Sequence, residues 1–194
     1  GVTIAKVDER RKPIAETRQY IECDTLLLSC GLIPENELTK GANISLDRIT
    51  NGACVDQDRQ TDTEGIYACG NVLHVHALVD YVSEEAEIAG VAAAEYVLKN
   101  TSSALDEAIA LVTDGKVRYT VPQRITSNKK VTVYFRVADV YRDVRIVVRD
   151  GENVIINKKK QKVAPGEMET VTLTPAMIEG VTSGKLAFSI ESDS

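Results

Sequence analysis

No Gly-x-Gly-x-x-Gly occurs anywhere in the 194 residues. The turn that presents a helix amino end to a pyrophosphate is therefore missing, and with it a self-contained dinucleotide site. Cys23, Cys30, Cys54 and Cys69 include no Cys-x-x-Cys or other metal-site spacing, which leaves four thiols beside apolar residues, expected to be buried and structural in a reducing cytoplasm. Basic excess is lacking too. The net charge is -6 and the sequence pI about 5.1, so nucleic acid and anionic membrane surfaces are excluded as partners. No apolar run approaches the roughly 18 residues of a membrane span, and there is no internal repeat. What remains, at 43% hydrophobic residues, is enough for one or two ordinary globular cores.

The informative stretch is Thr61 to Val72. Ile66 to Cys69 is a β-compatible apolar run between Gly65 and Gly70, which predicts a strand buried on both faces. Ligands of open α/β sheets sit beyond the carboxyl ends of strands, and a glycine there lets a flat ring or a sugar approach the backbone. Gly70 permits such contact. Asn71 offers a donor and an acceptor on a short side chain, suited to a ribityl or ribose hydroxyl. Asp80 to Lys99 then has helical composition, with Val82, Ala86, Ala89, Ala93 and Val97 along one face and Asp80 or Ser83 able to cap the start. Ala89, Gly90, Ala92, Ala93 and Ala94 allow close packing, and the amino end presents unpaired N–H groups and a partial positive charge.

Two blocks carry a family resemblance. Cys23-Asp24-Thr25-Leu26-Leu27-Leu28-Ser29-Cys30-Gly31-Leu32-Ile33-Pro34-Glu35-Asn36 resembles the acidic residue, apolar strand, Gly and Pro-Asn segment where two-dinucleotide-binding-domain flavoproteins pass from the NAD(P) domain back to the FAD domain. Thr61 to Asn71, with the Ala/Gly-rich helix after it, resembles their Thr, Gly-Ile-Tyr-Ala, Gly-Asp signature. The first half of the chain is thus similar to the carboxyl-terminal portion of the pyridine nucleotide-disulfide oxidoreductase-like superfamily, and the wording from Leu73 to Gly90 to its bacterial NAD(FAD)-dependent dehydrogenases. One departure is plain: Asn71 stands where the family usually has Asp, replacing a carboxylate contact with an amide one.

The resemblance implies FAD and NAD(P)H as cofactors. It implies flavin contacts at Gly70, Asn71 and Val72 and, through backbone groups at the helix start that favour charge on a reduced ring, at Tyr81, Val82 and Ser83. Catalytic residues stay unknown, and the redox cysteine pair of disulfide-reducing relatives is not visible. His74 and His76 would share one side of an extended segment; with Asp80 they would form a trio, yet two histidines fall short of a structural zinc set, and no metal is expected. A loop histidine near the flavin, structural or proton-donating, is the preferred role.

Organisation follows. Val2 to Val7 and Arg18 to Cys23 suggest antiparallel strands about a polar turn, Leu26 to Cys30 a buried strand, and Ala53 to Asp56 a short one. Helical composition gives way to β-branched alternation between Thr101 and Asp114. Beyond it, 131–137, 144–149, 154–156, 170–173 and 185–190 read as strands, with turns at Asp150-Gly151 and Pro165-Gly166. The expected fold is a partial α/β, Rossmann-like FAD/NAD(P) lobe over 1–104, then an all-β immunoglobulin- or fibronectin-like antiparallel sandwich over 105–194. Lys158 to Lys162 reads as a solvated turn or protected sheet edge.

The functional expectation is a fragment of a cytoplasmic flavin-dependent oxidoreductase that moves hydride from NAD(P)H through FAD to a small-molecule or protein acceptor. The fragment alone would be inactive. Its partners would be the rest of the parent chain and, through the sandwich, another copy or a partner subunit. The alternative is a non-catalytic interaction module with an adhesion-like sandwich.

Overall fold

The computed structural model describes residues 1–29, 31–98 and 104–192. The chain divides into two compact units, Gly1–Leu32 and Ile33–Ser194.

In the smaller unit, β1 (Val2–Ile4) and β2 (Gln19–Ile21) pair antiparallel with Thr3 opposite Tyr20. The Asp8 carboxylate organises the turn between them by accepting the Arg10 and Lys12 N–H groups, the Asx geometry that makes aspartate a turn residue. The strand expected at Leu26 to Cys30 is not formed over its described residues. Leu26, Leu27 and Leu28 are 55%, 88% and 76% exposed. A buried parallel strand needs neighbours on both edges and cover on both faces, and β1 and β2 pair only with each other. Cys30 lies outside the described residues.

The larger unit opens with irregular chain and one short helix, α1 (Glu37–Gly41). The strand expected at Ile66 to Cys69 is reduced to a single bridge between Gln60 and Tyr67. Ile66 is 39% exposed and Tyr67 to Cys69 are half-buried, so the backbone is satisfied by turns instead: the Thr61 N–H donates to the Ile66 carbonyl and the Ala68 N–H to the Arg59 carbonyl. Ala53 to Asp56 likewise holds one bridge, Leu46 to Ala53. A 3-10 turn at Gly70–Val72 leads to α2 (Val79–Val97).

The amino end of α2 follows Leu78 and has no side-chain cap, so neither Asp80 nor Ser83 serves as one; the Ser83 hydroxyl instead donates to the Val79 carbonyl. Its buried residues are Glu85, Ala89 and Ala92. The expected apolar face is therefore rotated, with Val97 76% exposed, because the helix lays a carboxylate and two small residues against its neighbours. The residues expected to end it, Lys99 to Thr101, lie outside the described ones.

Beyond it come β3 (Ala104–Thr113), β4 (Val117–Val121), β5 (Arg124–Ser127), β6 (Val131–Val137), β7 (Tyr141–Asp150), β8 (Asn153–Val163), β9 (Glu169–Leu173), α3 (Pro175–Glu179) and β10 (Lys185–Ser192). They form one sheet ordered β5-β3-β10-β7-β8 and another ordered β4-β6-β9. Both sheets contribute to one apolar cluster that includes Ile125, Phe135, Ile146, Leu173 and Phe188, as alternation on half-buried strands predicts. One pairing departs from the antiparallel expectation: β10 runs parallel to β3, with Leu186 opposite Leu111.

Packing within this unit joins the chain before α2 to the sheets. Ile44, Ala53, Val55 and Leu73 share a second apolar cluster with Tyr119 and Val121 of β4. Gln57 donates to the Thr126 and Ser127 hydroxyls, and its carbonyl accepts the Thr126 N–H at 2.7 Å. Cys54 and Cys69 of this unit and Cys23 of the smaller one are free and half-buried rather than fully enclosed.

Candidate functional site

The 70–72 turn and the first turns of α2 are brought together by one side chain. Glu85, fully buried, accepts the Gly70 N–H on Oε2 at 2.7 Å and the Arg59 Nε–H on Oε1 at 2.9 Å, while His76 Nε2 lies 2.9 Å from Oε2. A buried carboxylate persists only when charge and hydrogen bonds offset its lost hydration. Arg59, 1% exposed, supplies the charge. Burial alone would raise the Glu85 carboxyl, but the two imidazoles and the Arg59 guanidinium outweigh it and hold the group well below the usual carboxylate range.

Gly70 has φ +74, and a Cβ built on it would stand 3.3 Å from Val82 Cγ1. Glycine is thus needed for the left-handed backbone, and it also keeps the turn close to α2. Asn71 is exposed, and its Oδ1 accepts the His76 N–H at 3.1 Å. The Val72 carbonyl accepts from Asn36 Nδ2, which also donates to the Asn51 carbonyl. Asn36, 3% exposed, thereby fastens the turn from the opposite side. Gly52 is pressed so closely on the Leu73 carbonyl that a Cβ would collide with it.

Of the residues singled out from the sequence, Gly70, Val72 and Val82 therefore lie together, and Asn71 sits on the same turn. The Tyr81 ring points along another line, 5.7 Å from the Tyr134 ring of β6 and 6.4 Å from the His76 ring. Ser83 is exposed, and its hydroxyl donates within its own helix. Asp80 is exposed at the start of α2. The carboxylate that meets the two histidines is Glu85, with all three donor atoms within 4.8 Å of one another. Sequence reading missed this residue because an acidic side chain on a helix rich in glutamates resembles its solvated neighbours. Arg59 was missed because an arginine in a polar connection reads as solvated.

His74 is 1% exposed, and neither of its ring nitrogens has a hydrogen-bond partner among the described residues. Its Nε2 stands 3.6 Å from Glu85 Oε1. Burial pushes the His74 pKa down, against the pull of Glu85. Tyr134 donates its hydroxyl to Glu84 Oε2 at 3.2 Å, and burial with the Glu84 charge pushes its phenol up to about 12. A cavity of about 490 Å3 opens between α2 and β6, lined by Arg59, Glu84, Ile88, Lys129 and Tyr134 among others. None of the six residues expected at the flavin lines it.

Gly70 itself is buried, so what the arrangement presents is the exposed amide of Asn71 with the uncapped start of α2 nearby. The chain is 27% identical over 99 residues to the nitric oxide reductase FlRd-NAD(+) reductase of Shigella flexneri, a match covering 51% of this chain and 26% of that protein. The enzyme of the same name from Escherichia coli O127:H6 is 29% identical over 87 residues, covering 45% and 22%. The chain thus spans about a quarter of the length of these curated relatives. No solved structure matches it. Among the described residues, no helix is long and apolar enough to cross a membrane. The pattern of the pyridine nucleotide-disulphide oxidoreductases, a family with a Rossmann-like FAD/NAD-binding lobe that uses FAD and NAD(P)H, matches residues 1–108, more than half of the chain, and the chain belongs to that family.

Proposed function

We propose that this chain is the carboxyl-terminal part of the redox region of a cytoplasmic flavin-dependent oxidoreductase, followed by a sandwich of immunoglobulin or fibronectin type. The domain division would fall near residue 104. In the complete enzyme FAD would supply hydride transfer from NAD(P)H to a small-molecule or protein acceptor. The nitric oxide reductase FlRd-NAD(+) reductases carry an acceptor of the protein kind in their name.

The observation that carries this reading is the joint placement of Gly70 and α2. Gly70, buried at φ +74 and tied to Glu85, would fix the turn against α2 so that a ribityl chain meets the exposed residue beside it. Asn71 is exposed beside it with its Nδ2 donors directed to no partner among the described residues, so it would orient a hydroxyl. Backbone N–H groups of Val79 to Val82, at an end without a side-chain cap, would favour negative charge. Exposed Leu27, Leu28 and Ile33, together with Leu78, Val79 and Val97, are surfaces that further parent chain would cover. The isolated piece, without a glycine-rich phosphate turn, would be inactive.

The test is Asn71→Leu in the intact enzyme. Flavin content per protein, read from visible absorption after gel filtration, should fall while the sheets keep their circular dichroism. Unchanged flavin content and unchanged turnover would remove the role assigned to Asn71.

A further inference from the structure

We infer that His74, His76 and Glu85 form a binding site for one divalent first-row metal ion of the zinc type. The inference stands on the histidine–glutamate geometry and does not depend on bound flavin.

Four observations carry it. His74 Nε2 is 3.6 Å from Glu85 Oε1, His76 Nε2 is 2.9 Å from Glu85 Oε2, and the three donor atoms lie within 4.8 Å of one another. Donors held around one ion at about 2.1 Å stand no more than about 4.2 Å apart, so a small rotation of one imidazole completes the set. The site is enclosed: the three side chains are 1%, 1% and 0% exposed. Among the described residues, His74 Nδ1 and Nε2 and His76 Nδ1 have no hydrogen-bond partner. Buried polar nitrogens left this way are costly, and an ion would satisfy one on His74 directly. Finally, the carboxylate is already oriented from outside, by Arg59 Nε on one oxygen and the Gly70 N–H on the other. Ligating carboxylates are commonly held by such outer bonds.

Two imidazoles and one carboxylate suit zinc, iron, cobalt or nickel better than calcium or magnesium. Three protein donors leave a coordination position open. With Arg59 beside it, the ion's charge exceeds what Glu85 cancels, so that position would favour hydroxide or another small anion. Bound there, the ion would fasten the 70–76 segment to α2. The Asp80 trio weighed from the sequence, set aside because two histidines fall short of a structural zinc set, is replaced by one in which Glu85 is the carboxylate.

The test uses the 194-residue protein, freed of metal by chelation and without added flavin. Titration with Co2+ should saturate at one equivalent with visible ligand-field bands, and Zn2+ should displace it. The chain has only two histidines, so X-ray absorption of the zinc-loaded protein should find two imidazole ligands, a result available without any substitution. His76→Ala should weaken Co2+ binding by about 100-fold or more, and Arg59→Lys, which perturbs the outer bond to Glu85 and removes no ligand, by about 10-fold. Glu95→Gln, on the same helix, should leave binding unchanged. A saturable site without imidazole ligands, or no saturable binding by the folded protein, would overturn the inference. Flavin content of the intact enzyme reports separately on the flavin reading.

Discussion

Among the described residues, 104–192 gather eighteen apolar side chains, seventeen from the two sheets and Ile178 from α3, into one buried cluster, whereas residues 33–98 bury Ile44, Ala53, Val55 and Leu73 and complete that small cluster with Tyr119 and Val121 of β4. The earlier segment relies instead on a charged centre: Glu85 and Arg59 on one side, Asn36 on the other, joined through the 70–72 turn. Apolar burial scales with area and tolerates local change, while a buried ion pair fails sharply when either partner is lost. The sheets therefore have the means to hold without the loop segment, and the loop segment depends on the sheets.

Breaking the sheet core tests that dependence most severely. Phe188→Ala removes a fully buried ring that packs against Phe135 and should cost about 3–5 kcal/mol, with both halves melting together in urea followed by circular dichroism. Glu85→Gln strands the buried Arg59 charge and should cost about 3 kcal/mol. Amide exchange should then rise at 70–76 while 131–137 stay protected; loss of protection in both would erase the contrast. Gly70→Ala, forced into a left-handed backbone, should cost about 1–2 kcal/mol, seen as a lower urea midpoint.

The sheet half has a polar fixture of its own, with a different pH signature. Asp150 accepts from the Thr182 and Ser183 N–H groups and the Thr182 hydroxyl, and Ser183 and Thr182 hold its pKa down at about 2. A depressed carboxylate stabilises above its unfolded pKa, about 3.9, and loses that effect as pH falls toward the folded value. The melting-temperature gap between wild type and Asp150→Asn should be full at pH 7 and close between pH 4 and 2. The smallest effect belongs to Lys129, which is 35% exposed and reaches Asp58 and Glu95. Lys129→Ala should cost about 0.5 kcal/mol, less in high salt.

Strands with alternating apolar residues were legible before any coordinates: 131–137 appears with the same bounds, and 144–149, 170–173 and 185–190 lie within β7, β9 and β10. β3, β4 and β5 were not, since Ala104 to Ser127 mixes acidic, small and β-branched residues whose pairing is set by distant partners such as β10. α2 was legible from composition, but its buried face was not. Periodicity ranks Val82 and Val97 above Glu85, and only the fold reveals that Arg59, 26 residues earlier, meets that glutamate. Gly70 and Asn71 were singled out through a motif, while Ile66 to Cys69 kept the motif without the strand. A short apolar run pairs only if a sheet edge is offered to it, and there the offer is one bridge from Gln60.

The larger sheet ends in two unlike borders. At β5 the amide of Gln57 occupies Thr126 much as a neighbouring strand would. At β8 a row of lysines, 158–160 and 162, lines the other border, so a second molecule approaching in register would bring its own ammonium groups against them. Copies of this protein are thereby discouraged from adding to one another strand by strand, a safeguard that matters for a chain whose eleven-residue border strand would otherwise template fibrous growth.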